Sequence, residues 1–327
     1  MSRTLSARHD RFALSRPFRI SRGVKTAADV VTVSVGEGGI EGRGESLPYP
    51  RYGESVEIVL AQLAAMEASI AGGTTREGLL DLMPAGAARN ALDCALWDLE
   101  AKRAGVSVAA LLGVPEPGRI ATALTIGIDT PDNMAHAALA IAGAPLIKVK
   151  VNADDPAAAV RAVRRAAPEA ALIVDPNESW NEAIVRGIMP VLEQCRVDVL
   201  EQPVPAGEDA WLEGYARPVA ICADESVHTL AELDPVAARY DAVNIKLDKA
   251  GGLTAGLELA LEARTRGLKI MSGCMICSSL GIAPALLLAR LADWADLDGP
   301  LWLAEDRPGG VRGENGWLVP PEKGFWG

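Results

Sequence analysis

The sequence predicts a (β/α)7β-type TIM barrel of the α/β class with an N-terminal α+β capping domain, and two observations carry that expectation. Five short apolar runs, LIKVKV, LIVDPNES, VLEQP, ICADES and VNIKLDKAGG, each end in a charged residue, as buried parallel strands do when they deliver a functional group at their carboxyl ends. The groups delivered, Lys150, Asp175, Glu201, Asp224 and Lys246, follow one another at intervals of 22 to 26 residues, the length of one strand, one helix and two short loops. The chain of 327 residues also leaves room beyond a barrel, which needs roughly 200–250 residues.

Taken in order, residues 3–20, 29–37 and 40–47 read as strands. VVTVSV is a β-branched run, and EGGI supplies the hairpin turn between the second and third. Between the first two lies SRGVKTAAD, read as a short basic loop. The segment GESLPYPRYGES is punctuated by proline, and a helical pattern follows from Val56 to Ile70. AARNALDCALWDLEAKRAG has apolar residues at helical spacing and a glycine stop at Gly105. These elements make the cap, residues 1–117. From 118 to 300 strand and helix alternate, with strands at 121–127, 146–151, 171–175, 197–201, 219–223, 242–247, 268–272 and 294–298. Right-handed crossovers then leave little topological choice. Residues 301–327, rich in Gly, Pro and Trp, are expected to return to the cap.

A net charge of −11 and a pI near 4.9 disfavour phosphate backbones and anionic lipid. An aromatic content of 4% leaves no stacking platform for nucleic acid. LGIAPALLLARLA is too short to span a bilayer and carries Arg290, and MSRTLSARHD has no apolar run behind its arginines. Five scattered cysteines argue for a reducing compartment, hence the cytoplasm. Cys274 and Cys277 lack a second ligand pair and read as barrel packing. His9, His136 and His228 fall outside the strand ends. The sequence leaves a homo-oligomer open.

Three carboxylates on adjacent strands suit a hard divalent cation, since without one they repel and at least one protonates. A shell of oxygen ligands points to Mg2+ or Mn2+, with positions left for water and a substrate carboxylate. Each acid taken singly reads equally well as a cap on the next helix; three at barrel spacing do not. Lys148 and Lys150 share one face of a strand, and two ammoniums beside a metal are expected to depress the pKa of Lys150. Lys246 arrives from the far side of the acids. A lysine on each side of a held substrate is what a two-base reaction at one carbon requires.

The Lys-x-Lys pair and the DPNESW, LEQP, ADES and NIKLDKAGG segments resemble the dipeptide epimerases of the muconate-lactonizing branch of the enolase superfamily. The resemblance extends from about Arg16 to Leu303 and includes GESLPYPRYGES, AARNALDCALWDLE, GCMICSS and DLDGPLWL. It implies Asp175, Glu201 and Asp224 as Mg2+ ligands, Lys150 and Lys246 as the opposed acid/base pair, and Lys148 as the neighbour that tunes Lys150 and binds the substrate carboxylate. The implied reaction is 1,1-proton transfer through an ene-diolate, interconverting L-Ala-L-Glu and L-Ala-D-Glu in the recycling of cell-wall peptide. A Lys or His base with Mg2+ is the general device of that superfamily.

Asp296 and Asp298 are two apart and are expected to face the barrel mouth, as counter-ions for a dipeptide ammonium. Arg22, in the first loop, suits the side-chain carboxylate of Glu, with Lys25 a weaker candidate. Thr125 ends the first barrel strand and is a pocket-lining candidate. Muconate cycloisomerase and o-succinylbenzoate synthase remain as alternatives, as does a non-catalytic barrel that binds a metal or an acidic ligand. The Asp pair and Arg22 argue against the first two, and the paired lysines against the third.

Overall fold

The computed structural model describes residues 2–20 and 23–327. The N-terminal sheet is antiparallel, with β1 (Thr4–Ile20), β2 (Gly23–Glu37) and β3 (Ile40–Ser46) in that order. Val31, Val33 and Val35, spaced by two, face the helices on one side, while Ala28 and Val30 face the barrel core on the other. The stretch read as the SRGVKTAAD loop is strand from Gly23 onward, pairing Phe18 with Lys25 and Arg11 with Asp29. Its polar residues hide the strand signal, because an overhanging ribbon needs no apolar face. Cross-strand charges hold it instead, with Arg11 Nη1 2.9 Å from both oxygens of Asp29 and His9 Nε2 at 2.8 Å.

The helix expected over Val56–Ile70 is two, Val56–Ala65 and Glu67–Ala71, with Met66 N bonding Leu63 O at the break. The long cap helix Ala87–Ala104 ends at Gly105 in a left-handed conformation (φ 67°), as the glycine stop predicts. This helix lies directly on β3. A Cβ built on Gly42 would sit 2.2 Å from Ala95 O, and one on Gly44 2.1 Å from Ala91 O. Two glycines at strand spacing therefore let helix and strand backbones touch.

After β4 (Ile120–Ala121), eight parallel strands follow: β5 (Leu124–Ile126), β6 (Leu146–Lys150), β7 (Ala171–Asp175), β8 (Val199–Glu201), β9 (Ala220–Ala223), β10 (Ala242–Lys246), β11 (Lys269–Gly273) and β12 (Trp294–Asp296). Each pairs with its sequence neighbour, and a bond from Ala123 N to Ala295 O at 2.8 Å closes the ring between β12 and β5. The first expected strand, 121–127, is divided. Thr122 breaks it, because its N–H bonds Gly316 O and its Oγ1 accepts Leu297 N, so β4 joins β13 (Arg312–Glu314) and β14 (Trp317–Val319) in a separate sheet. The β8–β9 connection carries a 3-10 turn, Ala210–Leu212, in place of an α-helix; Pro203, Pro205, Gly207, Gly214 and Pro218 prevent a longer one.

Inside the barrel the residues fall into layers. Ala123, Leu146, Ile173, Val199, Cys222, Ala242 and Met271 form one apolar cluster. Two residues further along each strand come Lys148, Asp175, Glu201, Asp224, Asn244 and Gly273. Period-2 alternation thus sets a charged floor directly on an apolar plug. The tail ends against the cap, where Trp326 Nε1 donates to Arg43 O at 3.0 Å and Gly327 N to Asp98 Oδ1 at 2.7 Å. Among the described residues no helix is long and apolar enough to cross a membrane.

Gly44→Ala is expected to destabilise the protein by about 3 kcal/mol or more, since backbone has no way to give at that distance. Gly118→Ala, where nothing lies within 4 Å of the added Cβ, is expected to change little. Urea unfolding of the two variants checks the difference; equal midpoints would mean that helix and sheet can separate at no cost.

Candidate active site

The five strand-end groups converge. Lys148 Nζ lies 3.0 Å from Asp175 Oδ2, 2.6 Å from Glu201 Oε2 and 2.7 Å from Asp296 Oδ2. Lys150 Nζ is 2.5 Å from Asp175 Oδ2, and Lys246 Nζ is 2.6 Å from Asp224 Oδ2. Because β6 and β10 flank β7, β8 and β9, the two lysines approach from opposite sides of the three acids. Asp175, Glu201 and Asp224 are at most 1% exposed.

Burial raises every one of these carboxyls, and the neighbours decide the outcome. Burial pushes Asp175 up but Lys150 and Lys148 outweigh it, holding it down at about 2. Asp224 is likewise held well below the carboxylate range by Lys246, Lys249 and Lys148 against its burial. Glu201 goes the other way, to about 7, through burial and the charge of Asp175, which Lys148 offsets incompletely. Burial disfavours the charge on Lys148, yet Asp296, Glu201 and Asp175 raise its pKa well above the usual value.

Among the described residues no three acidic, His or Cys side chains stand open as a ready metal cluster; Lys148, Lys150 and Lys246 stand against the acids. The donor set nonetheless fits a hard dication. Glu201 Oε2 is fully buried and, although close to Lys148, has no partner in hydrogen-bonding geometry. Together with the raised Glu201 carboxyl, it marks a local surplus of negative charge that a divalent cation relieves.

Above the floor is a cavity of about 70 Å³ lined by Thr125, Lys148, Lys150, Lys246, Asp296 and Asp298, with Phe18, Ile20, Lys25 and Tyr49 contributed by the cap. A larger one, about 810 Å³, lies by Val106, Pro320 and Trp326 and includes none of the strand-end groups. Asp296 and Asp298 both face the smaller cavity, as their spacing predicts. Asp298 lies beyond the end of β12, and its Oδ2 accepts Thr125 N at 2.9 Å and Trp302 Nε1 at 3.1 Å. Its carboxyl is raised to about 6 by burial and by Asp296. Lys25 Nζ stacks 4.7 Å over the Tyr49 ring. Arg22 lies outside the described residues. His228 packs edge-on against Tyr52, with centroids 4.4 Å apart, and burial lowers its pKa to about 4. All five cysteines are free thiols.

Sequence reasoning missed several residues that hold this arrangement. Asn244 Nδ2 donates to Glu201 Oε1 at 2.8 Å; its signal was an amide in an apolar strand, at the same parity as Lys246. Gln202, at a left-handed φ of 30°, accepts Asp224 N at 2.8 Å and Ser226 N at 3.1 Å. Arg51 of the cap makes a two-pronged ion pair with Glu178, at 3.1 and 3.0 Å, just beyond Asp175. Lys249 donates to the second oxygen of Asp224 at 2.6 Å.

Comparison with known proteins identifies the family. Residues 2–113 match the mandelate racemase / muconate lactonizing enzyme N-terminal domain, and residues 133–325 the enolase C-terminal domain-like family. L-Ala-D/L-Glu epimerase of Escherichia coli (strain K12) is 49% identical over 93% of this chain and 95% of its own. An enolase family member from Agrobacterium tumefaciens, described as homologous to dipeptide epimerases and solved with sodium and L-Ala-L-Glu, superposes with a TM-score of 0.96 at 49% identity, covering 99% of this chain and 100% of that one. The dipeptide epimerase of Methylococcus capsulatus, solved with Mg and L-Arg-D-Lys, gives 0.88 at 32% identity, with 98% of each chain covered. With both halves matched, the chain belongs to the mandelate racemase / muconate lactonizing enzyme family of the enolase superfamily.

Proposed function

We propose that this protein is a Mg2+-dependent dipeptide epimerase that interconverts L-Ala-L-Glu and L-Ala-D-Glu by moving one proton off, and another onto, the α-carbon of the C-terminal residue. The observation that carries the reading is the pair Lys150 and Lys246, which line one cavity from either side of three buried carboxylates. Its support among relatives is the E. coli epimerase at 49% identity. Residues 1–117 serve as the cap, 118–300 as the barrel and 301–327 as a tail returning to the cap. Five free thiols suit a reducing cytoplasm, and the dipeptide's composition suits recycling of cell-wall peptide.

Asp175, Glu201 and Asp224 would hold the Mg2+ ion. When bound, it supplies Lewis-acid stabilisation of the charge that develops on the substrate carboxylate as the α-proton leaves. Lys148, fixed by Asp175, Glu201 and Asp296, adds a positive charge at the same carboxylate. One lysine, as the neutral amine, takes the proton into its Nζ lone pair, and the opposed lysine, as the ammonium, donates from the other face. The two exchange protonation states in each turnover, so the reverse reaction uses the same groups in exchanged roles. Asp296 and Asp298 provide negative charge for the dipeptide ammonium, and Arg22 pairs with the Glu side chain.

Chelation is expected to abolish activity and Mg2+ to restore it, and Glu201→Gln to weaken Mg2+ binding severely; full turnover by metal-free enzyme would sink the mechanism. Lys150→Ala and Lys246→Ala are each expected to stop epimerisation while leaving exchange of one epimer's α-proton with D2O, followed by NMR. Equal exchange of both epimers in both variants would rule out the two-base assignment.

Specificity is expected to divide between the ends of the substrate. Asp298→Asn, which keeps an acceptor for Thr125 N, should cost kcat/KM for L-Ala-L-Glu by roughly 2–5 kcal/mol, the usual loss when a desolvated charge is left unpaired. Arg22→Ala should raise KM for L-Ala-L-Glu and leave a dipeptide with a neutral C-terminal side chain much less affected. Comparing kcat/KM for the two substrates in each variant decides the matter. Equal losses in Arg22→Ala would place Glu selectivity elsewhere in the pocket.

A further inference from the structure

Two lysines reach Asp224, one to each oxygen, and their surroundings differ. Lys246 Nζ lies 2.6 Å from Oδ2 and lines the cavity. Lys249, in the helical turn Leu247–Ala250, is 2% exposed and does not border the cavity. Its Nζ donates to Asp224 Oδ1 at 2.6 Å, to Val227 O at 3.0 Å, to Asn244 O at 3.1 Å and to the backbone carbonyl of Asp224 itself. An ammonium has three N–H groups, so this one is saturated. It cannot turn to a substrate without stranding both itself and buried carbonyls.

The turn that carries Lys249 is also clamped from the cap. Arg89 Nε and Nη2 donate to Gly251 O at 3.0 Å and Ala250 O at 2.8 Å, and Asn90 Nδ2 donates to Asp248 Oδ1 at 2.8 Å. Gly251, at φ 82°, has the Arg89 guanidinium where a Cβ would stand, 2.5 Å away. The position of Lys249 is thus set from both domains, whereas Lys246 ends its strand at the cavity wall.

We infer that Lys249 is a positioning residue for the metal site: it fixes Asp224 through Oδ1 and leaves Oδ2, on the side of Lys246 and the cavity, as the oxygen with which Asp224 would help hold a dication. The inference rests on the reading of Asp224 as a Mg2+ ligand. It assigns different work to two lysines only three residues apart, one moving a proton and the other holding a carboxylate still.

The test is calorimetric titration of Mg2+ into chelator-treated wild type, Lys249→Met and Lys249→Gln without substrate, with the melting temperature of each measured in parallel. Lys249→Gln retains N–H donors for the buried carbonyls and serves if Lys249→Met does not fold. The dissociation constant for Mg2+ is expected to rise by about 10–100-fold in a folded variant, the usual effect of losing a group that orients a ligand. Saturating Mg2+ should then recover a substantial part of kcat, whereas no such recovery is expected in Lys246→Ala. A lower melting temperature with unchanged Mg2+ affinity would make Lys249 merely structural and overturn the inference. So would loss of kcat that saturating Mg2+ leaves unrelieved at wild-type affinity, which would make Lys249 a proton-transfer group. If wild type itself took up no Mg2+, the reading of Asp224 would fall first, a result distinct from both.

Discussion

The constraint on which the rest of this structure depends is the burial of eight ionisable side chains, four of each sign, in one small volume. Asp175, Glu201, Asp224 and Asp296 crowd together with Lys148, Lys150, Lys246 and Lys249, and none of the eight is more than 8% exposed. Moving one such ion out of water costs several kcal/mol. The cluster therefore persists only while each charge has opposite charges at hydrogen-bonding distance. Lys148 touches three carboxylates at once, and Asp224 is gripped by a lysine at each oxygen. Where the balance is incomplete, at Glu201, the carboxyl is pushed up to about 7. A cation beside Glu201 would relieve that imbalance.

Such a cluster needs rigid walls, and the cap helix Ala87–Ala104 helps to supply them. One of its faces is apolar and sits on the glycines of β3. Its other face carries polar groups into the barrel. Asn90 bonds Asp248, Asp93 takes both the N–H and the hydroxyl of Thr254, and Trp97 donates to Thr254 Oγ1 at 3.0 Å. These partners all follow β10 in the chain, so the cap reads the position of the segment that delivers Lys246 and Lys249. A second tie runs from Arg51 to Glu178, whose backbone, like that of Asn177, is left-handed, at φ 66° and 47°. Conformations of that kind persist where surrounding contacts over-determine them.

Much of this was legible in the sequence, because the barrel writes its active site at strand ends. A period-2 pattern gave Lys148 and Lys150 a common face, and the repeat interval put three acids on neighbouring strands. What stayed hidden obeys no period. The ribbon Gly23–Asp29 is polar and resembles a loop. The split at Thr122 depends on a hydroxyl finding Leu297 N from the far end of the barrel, and long-range pairing of that kind leaves no local trace. Gly42 and Gly44 were visible as residues but not as contacts. Asn244 and Lys249 fall within the run that carries Lys246, and the carboxylates they hold, Glu201 and Asp224, come from elsewhere in the chain.

The place where the barrel closes differs from the rest of its wall. From β5 through β12 each strand pairs with the next in register, but among the described residues no ladder joins β12 back to β5. One backbone bond, Ala123 N to Ala295 O, is supplemented by side chains: Thr122 Oγ1 receives Leu297 N and Asp298 Oδ2 receives Thr125 N. The same Thr125 and Asp298 line the cavity. The seam thus uses for closure Asp298, one of the two acids proposed to meet the substrate's ammonium end, whereas the lysines proposed to move the proton stand on β6 and β10 within the laddered wall. A substitution in the ladder disturbs geometry that the chemistry needs at a fraction of an ångström. On the proposed reading, a substitution at the seam is expected to change which charge is offered to the substrate while the opposite wall keeps its register. Within this fold, the seam is therefore the part of the site in which specificity is expected to change at least cost to the proposed reaction.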